Sequence, residues 1–484
     1  MSRVFNRRQF IKSAVVGTGV LIVPYRTAFS YEASEKVQVA LVGVGGRGTW
    51  FVETIPAMER VTALCDVNEA KIAETFTRWE ELARKMADSQ QPWERQRAKE
   101  YQRLCESKPK TYYDFRKMLD EASREIDAVI VATPDHTHAV ISAAAMKADK
   151  HVFCEKPLTR TVHESRALRA IARKSKVATS MGNQGTASGQ FRRAVELVRE
   201  GTLGEIREVR VWNDGGGADR QQPPQGEQPI PPGFHWDLWL GPAAARPYHR
   251  EWLQRNSWRE FGTGQLGNWA SHSANLAFMA LYVHELWLKE SLPPEQRLIR
   301  IHADHSGINR LSFPRWERIT WEIPPRGGMP AVKFIWHNGQ GSGGRELVEP
   351  LRQEAIGLGE RDRDLLQWAG ALLIGTEGRI VLTGHNATFC LLPHEKFKDV
   401  PKDRPLKLDA SRGHEADWFA ACRGGKPAWA NFDYASALNE FLMLGNVATQ
   451  VEDDLVYDPV EMKVVNNEKA NELLSCEYRP GWTL

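Results

Sequence analysis

The stretch from Val37 to Trp50, V-Q-V-A-L-V-G-V-G-G-R-G-T-W, constrains the fold more than any other part of this chain. Val37 to Val42 is a continuous apolar run, as expected of a strand buried on both faces. Gly43, Gly45 and Gly48 then satisfy G-x-G-x-x-G, and Thr49 onward can be helical. A second apolar run, Val61 to Cys65, ends at Asp66. The step from Gly43 to Asp66 is close to the ~20 residues that separate a glycine turn from a ribose-binding acid. Glycine permits the tight turn and lets a pyrophosphate approach the amides of the helix start. Together with Gly46 and Arg47, these residues predict a dinucleotide site. A carboxylate at Asp66 accepts ribose hydroxyls and repels a 2′-phosphate, which favours NAD. Arg47 can receive a phosphate, which keeps NADP open.

The strand–helix alternation continues. Glu, Lys, Arg and Ala dominate residues 69 to 107, which read as one long or two shorter surface helices. Asp127 to Ala132 is a third buried strand, followed by T-P-D-H-T-H and a helix near Ala139 to Ala148. His151 to Cys154 is a further strand that delivers Glu155-Lys156-Pro157, and another lies near Val177 to Met181. This is a doubly wound α/β unit, taken as residues 36–185. In the remainder, 186–484, strand-like runs at Ile206 to Trp212, Arg318 to Ile323, Val332 to Trp336 and Arg379 to Leu382 are separated by loops. That pattern predicts a mainly antiparallel sheet with helices on one face. Gly215 to Pro232, rich in Gly, Pro and Gln, is irregular: a disordered spacer, a lid or an arm.

Composition narrows the chemistry. A net charge of +3 with no basic block gives nucleic acid no obvious footing. The 6 cysteines lack C-x-x-C spacing, so neither a metal site nor a disulfide framework is expected. Of 17 tryptophans, 14 lie after residue 185. Aromatic faces stack on sugars, so this bias favours a carbohydrate-like ligand there. Trp236, Trp239 and Trp269 are candidate walls of such a site, or core. At the N-terminus, Arg7-Arg8-Gln9-Phe10-Ile11-Lys12 precedes an uncharged stretch from Ser13 to Pro24, and Ala28 and Ser30 suit a cleavage point. Residues 1–30 therefore resemble a twin-arginine signal peptide, which predicts recognition by that export machinery and a periplasmic protein, anchored if the segment is retained.

Two further positions carry chemistry. Lys156, at the carboxyl end of a parallel strand, can hydrogen-bond a substrate hydroxyl, or can simply pair with Glu155. In G-T-G-Q-L-G-N-W-A-S-H, Asn268 can cap a helix, with His272 one turn later on the same face. His272 is then a proton acceptor in a cleft or a buried, hydrogen-bonded histidine.

The segments A-L-V-G-V-G-G-R-G, A-L-C-D-V-N, V-A-T-P-D-H-T-H, C-E-K-P-L, N-Q-G, W-D-L-W-L-G-P, G-T-G-Q-L-G-N-W-A-S-H and N-F-D-Y-A together resemble the glucose–fructose oxidoreductase/inositol dehydrogenase/MocA-like family, in its exported twin-arginine branch. The resemblance implies an N-terminal Rossmann domain and a C-terminal α/β domain with a large open sheet that often mediates homo-oligomers. It implies NAD(P)-linked oxidation of a secondary alcohol on a sugar, cyclitol or glycoside. Lys156 is then the catalytic or substrate-orienting lysine. Thr133, Pro134, Glu155 and Gln184 fall on the cofactor side, and His136 touches the ribose or caps the next helix. Family members commonly carry Asp-x-x-x-His; here His272 matches and Asn268 stands in place of the acid. Relatives of this branch often carry His after N-Q-G, where this chain has Thr186. Both replacements predict a weaker base at His272, more reliance on Lys156, or a degenerate site that only holds cofactor. A redox-neutral glycosidase, which oxidises, eliminates, hydrates and reduces, is the other alternative. Export of folded, loaded protein predicts an NAD that is not released and is restored to its starting redox state within each cycle.

Overall fold

In the computed structural model, residues 36–288, 292–401 and 404–484 are described. The expected signal peptide, 1–30, lies outside them. Six strands, β1 (Gln38–Val42), β2 (Arg60–Cys65), β3 (Lys110–Tyr112), β4 (Ala128–Val131), β5 (His151–Cys154) and β6 (Thr179–Met181), form a parallel sheet in the order β3-β2-β1-β4-β5-β6. That is the doubly wound order, with the chain reversing direction between β1 and β4. Helices cover both faces, which is why β4 reads A-V-I-V with every residue buried. The charged stretch after β2 forms two helices, Glu69–Ala87 and Pro92–Ser107.

The helix after β4 begins earlier than expected, at Asp135. Pro134 sits at its N-cap with φ −62°, ready for the first turn, so D-H-T-H is helix rather than loop. This puts His138 in the interior. Its Nδ1 lies 2.8 Å from the Pro157 carbonyl and its Nε2 lies 2.8 Å from the Thr133 carbonyl. A carbonyl oxygen only accepts, so both ring nitrogens donate and the ring is an imidazolium. Burial opposes that charge, but Cys154, Asp135 and the Pro157 carbonyl outweigh it, and the pKa is pushed up to about 9. One buried cation thus ties the turn after β4 to the turn carrying Lys156.

The second sheet has nine strands: β7 (Ile206–Asn213), β8 (Ile299–His305), β9 (Glu317–Ile323), β10 (Val332–Asn338), β11 (Ala369–Gly375), β12 (Arg379–Thr383), β13 (Phe389–Leu392), β14 (Leu455–Asp458) and β15 (Lys463–Val464). They run in the order β13-β12-β11-β7-β10-β9-β8-β14-β15, antiparallel except where β7 meets β10. The inner face packs on the helix Phe432–Ala448, in which every residue but Asp433 is buried. Phe441 on this helix lies 4.6 Å from Trp321, 5.2 Å from Phe334 and 5.3 Å from Phe278, ring centre to ring centre. Contrary to the sequence pattern, helices are not confined to one face. Gly344–Glu354 covers part of the outer side, where Val348 and Leu351 join Trp212, Leu372 and Val381. The uncovered outer side of β8 to β10 carries Arg300, His302, Arg318, Glu322 and Lys333.

Residues 36–185 do not close their own core. The helix His414–Cys422 returns to the first sheet, where the Trp418 ring lies 5.5 Å from Phe153. Gly215 to Pro232 is irregular, as composition requires, but it is pinned to the body. Gly216 N–H donates to Asn338 Oδ1 at 2.9 Å, Asp219 N–H to the Phe313 carbonyl at 2.9 Å, and Gln228 N–H to the Tyr248 carbonyl at 2.9 Å. Among the described residues, which include all six cysteines, no disulfide forms. Among the described residues no helix is long and apolar enough to cross a membrane.

Two outcomes follow for stability. Phe441→Ala empties the centre of the inner aromatic layer and should lower unfolding free energy by about 3–5 kcal/mol in urea denaturation; a loss under about 1 kcal/mol would contradict this packing. His138 contributes through its raised pKa, so its stabilisation is full below the unfolded value of 6.5 and is lost as pH rises through about 9. The stability gap between wild type and His138→Gln, on the order of 3 kcal/mol at low pH, should close across that window. A gap independent of pH would show a neutral ring.

Candidate active site

The glycine turn is built without room for side chains. Gly43 has φ +82°, and a Cβ there would fall 2.6 Å from the Ala132 carbonyl oxygen. A Cβ at Gly48 would fall 2.0 Å from the Gly43 carbonyl oxygen. The helix Gly48–Met58 that follows has no side-chain cap at its N-terminus. Its start opens on a cavity of about 490 Å³ lined by Gly43, Gly45, Gly46, Arg47, Asp66, Thr133 and Pro134. Asp66 accepts the Val44 N–H and the Asn68 N–H, each at 2.9 Å. Burial raises its pKa, and these amides, with that of Gly45, work against the rise. A turn with no Cβ, an uncapped helix start and an acid at the end of β2 suit a dinucleotide's pyrophosphate and ribose.

Arg47 lines the cavity and is held on one side. Its Nε donates to Glu155 Oε1 at 2.8 Å, and the Glu155 side chain is 5% exposed. That pairing directs Arg47 Nε toward the end of β5. Gly182 makes the pairing possible, because a Cβ there would fall 2.6 Å from the Glu155 carboxyl carbon.

The cavity is roofed by residues from outside the parallel sheet: Phe234, Leu238, Trp239, Arg255 and, from the end of the chain, Trp482. Trp482 packs 6.0 Å from Phe115 with the Arg116 guanidinium 4.4 Å from its ring centre. Arg479 holds this segment by donating to the Gly241 carbonyl and to Asp237 Oδ1, both at 2.5 Å.

Beyond Glu155, Lys156 Nζ donates to the Asn268 carbonyl and to Asn268 Oδ1, both at 2.9 Å. Contrary to the sequence expectation, Asn268 does not cap a helix. It lies inside a π-helical turn, Leu266–Ala270. Such a turn disrupts the regular ladder of carbonyls, a device common at functional sites. Burial lowers the Lys156 pKa, opposed by Glu155 and Asp135 and reinforced by Arg255 and Arg47. His272 follows in the next turn and is 4% exposed. Burial holds its pKa well below the usual value, with Lys156, His385, Arg47 and His414 acting in the same direction. The ring is therefore neutral and able to accept a proton. His272 Nδ1 and both polar atoms of the Asn183 side chain are buried without protein partners, leaving groups for a ligand to complete.

The other expected residues divide. Trp269 belongs to this centre, its ring 5.5 Å from His385. Trp236 does not wall the site. It stacks on Trp239 at 4.9 Å, meets Tyr248 at 5.1 Å and donates to the Arg246 carbonyl, because a closed aromatic cluster buries it more fully than a cleft can. Trp239 reaches the dinucleotide cavity rather than the lysine–histidine centre. His136 is not among the residues lining the dinucleotide cavity, and Pro134 rather than His136 stands at the helix N-cap. His136 lies 2.8 Å from the Trp239 carbonyl through Nε2, and burial pulls its pKa to about 3. Gln184 opens a short 3-10 turn, Gln184–Ala187, just after Asn183.

Several site residues carried no sequence signal. His385 lies in the turn between β12 and β13, and its ring centre is 4.7 Å from that of His272. His414 comes 3.5 Å from Thr186 Oγ1 through Nδ1 while its Nε2 meets the Met181 carbonyl at 2.8 Å. An imidazole thus reaches this corner from a different helix than the missing histidine at position 186 would have done. Asp135, 1% exposed, pairs with Arg255 and accepts from Thr263 Oγ1 at 2.8 Å. Among the described residues no group of His, Cys, Asp or Glu is placed to hold a metal.

Known proteins agree with this architecture. Levoglucosan dehydrogenase of Pseudarthrobacter phenanthrenivorans is 34% identical over 97 residues, 20% of this chain and 24% of that protein. A glycosyl hydrolase family 109 protein of Shewanella amazonensis is 30% identical over 175 residues, 35% of this chain and 34% of that protein. The chain thus spans about a quarter to a third of the length of these curated relatives. The solved structure of levoglucosan dehydrogenase in complex with NADH and L-sorbose superposes with a TM-score of 0.50 at 17% identity, covering 87% of this chain and 99% of that one, a likeness of fold. Residues 37–183 match the GFO_IDH_MocA oxidoreductase family, NAD-binding Rossmann fold, and this part of the chain is of that family.

Proposed function

We propose that the protein oxidises a secondary alcohol of a sugar, cyclitol or glycoside, using an NAD that it retains between turnovers. The observation that carries this reading is that Lys156 is anchored on Asn268, one turn before His272, and follows Glu155, which holds Arg47 of the dinucleotide cavity. The levoglucosan dehydrogenase relative supports the substrate class.

The glycine turn and helix start would hold the pyrophosphate, Asp66 the ribose hydroxyls, and Thr133 and Pro134 the next stretch of the dinucleotide. When bound, the nicotinamide supplies an acceptor for the hydride of the alcohol carbon. Lys156 donates a hydrogen bond to the substrate oxygen and stabilises the negative charge that develops there. Its lowered pKa, set mainly by burial, suits that role. His272, neutral and enclosed, takes the hydroxyl proton. Asn268 orients Lys156 through two acceptors but lends no negative charge, so His272 must work without an imidazolium-stabilising carboxylate at that position.

Retention of NAD is supported by the roof over the cavity, to which Trp482 and the Phe234–Trp239 segment contribute. Export by the twin-arginine route, which moves folded loaded proteins, and assembly as a homo-oligomer belong to the same proposal. A redox-neutral glycosidase is the second reading. The Shewanella relative named as glycosyl hydrolase family 109 favours it, and a retained cofactor would have to be restored in place.

The test uses purified protein with no added NAD, offered levoglucosan, myo-inositol, glucose and nitrophenyl glycosides. Reduced-cofactor absorbance without aglycone release supports the first reading. Aglycone release without net redox change would replace it with the second, and no response to any compound would leave a cofactor-holding protein. Lys156→Ala should keep its NAD and lose turnover by roughly 100-fold or more; unchanged turnover would remove Lys156 from the chemistry. Trp482→Ala should release NAD roughly tenfold faster, equivalent to about 1.4 kcal/mol of lost aromatic contact. A wild-type protein that purifies empty and binds NAD weakly would defeat the retention claim.

A further inference from the structure

A base as enclosed as His272 needs a route by which its proton leaves. The groups that shift it, Lys156 from the turn after β5, Arg47 from the glycine turn, His385 from the β12–β13 turn and His414 from the helix His414–Cys422, all disfavour its imidazolium. A proton taken up there is held weakly. Nδ1 of the ring is buried and has no partner, which leaves a nitrogen available for a second transfer.

His385 is the imidazole beside it. The ring centres are 4.7 Å apart with the planes at 54°, and no direct hydrogen bond joins the two rings, so a proton crosses between them by way of a bridging water. Unlike His272, His385 is exposed. Its position is fixed by its neighbour, the fully buried Asn386. Asn386 Oδ1 accepts the Leu276 N–H at 3.0 Å, and its Nδ2 donates to the Ser273 carbonyl at 3.2 Å. Both contacts fall on the segment that carries His272, so the turn and the base are built as one piece. On the other side, the His385 carbonyl packs so tightly on Gly185 that a Cβ there would fall 2.1 Å from its oxygen.

We propose that His385 is the outer member of a two-histidine proton relay, taking from His272 the proton that a substrate hydroxyl releases and passing it to solvent. The role rests on the alcohol-oxidising reading of the same site. The balance is complete. The C–H hydride goes to the bound NAD, the O–H proton goes to His272, and the carbonyl forms. Transfer of the proton from His272 to His385, and then to water, restores a neutral base. Reduction runs the relay inward. Lys156 and Arg47 also lower the His385 pKa, after burial, so the proton is not trapped on the outer ring.

The test compares wild-type holoprotein with His385→Gln on the compound of the panel that it oxidises fastest. Turnover should fall roughly 10- to 100-fold with NAD content and KM preserved, and added imidazole should restore it. An unchanged rate, or a loss that imidazole does not restore, would overturn the relay. An independent arm needs no substrate. In ¹⁵N NMR titrations, His385→Gln should raise the His272 pKa and His272→Gln should raise that of His385; titrations that ignore each other would overturn the pairing. If wild type oxidises nothing in the panel, the reading of the site has failed, and the NMR arm alone decides whether the two rings are coupled.

Discussion

The two acceptors that Asn268 offers to Lys156 hold the site together. One is a backbone carbonyl and the other a side-chain oxygen, each 2.9 Å from the ammonium. Lys156 stands at the carboxyl edge of the parallel sheet, and Asn268 lies in the helical layer against the second sheet. The contact therefore brings the two layers into register where a ligand would react. It depends on supports on either side. The His138 imidazolium fixes the turn that carries Lys156, and the π-helical turn presents the carbonyl of Asn268.

The electrostatics of this junction are one-sided. Arg47, Lys156, Arg255 and three imidazoles converge, with buried Glu155 and Asp135 as the counterweights. Glu155 neutralises Arg47, and Asp135 neutralises Arg255. The lysine is left with neutral acceptors, and burial can act on its pKa. The same surroundings keep His272 neutral. A positive field of this kind favours a developing alkoxide and disfavours a lasting imidazolium. Replacing the expected acid by Asn268 fits that balance, because the groups hydrogen-bonded to the ammonium are neutral and only the more distant Glu155 and Asp135 favour its charge.

The glycine turn, Asp66 and the strand–helix alternation of the first sheet are legible in the sequence because each is a local pattern with a narrow physical meaning. The position of Lys156 at the end of a strand in an open α/β sheet is legible for the same reason, but its spacing alone does not separate a ligand-binding lysine from a partner of Glu155. The tryptophans are not, because stacking on sugar and packing in a core need the same residue; only the aromatic neighbours of Trp236 decide between them. The pairing of Arg47 is not legible, because its partner, Glu155, is 108 residues away. His385 and His414 come from separate elements and meet the site only through the fold, so no spacing announces them. The antiparallel strands are visible by alternation, whereas β7 meeting β10 in parallel depends on long-range order. The return of Trp418 to the first core defeats a linear division of the chain at residue 185 for the same reason.

The central claim is that hydride passes directly between a sugar-like alcohol and an NAD that stays in the protein. A single turnover of the purified holoprotein with a substrate deuterated at the oxidised carbon measures this most directly. Mass spectrometry of the cofactor released afterwards by denaturation should find the deuterium on the nicotinamide ring. Deuterium recovered in water, with unlabelled cofactor, would contradict the account.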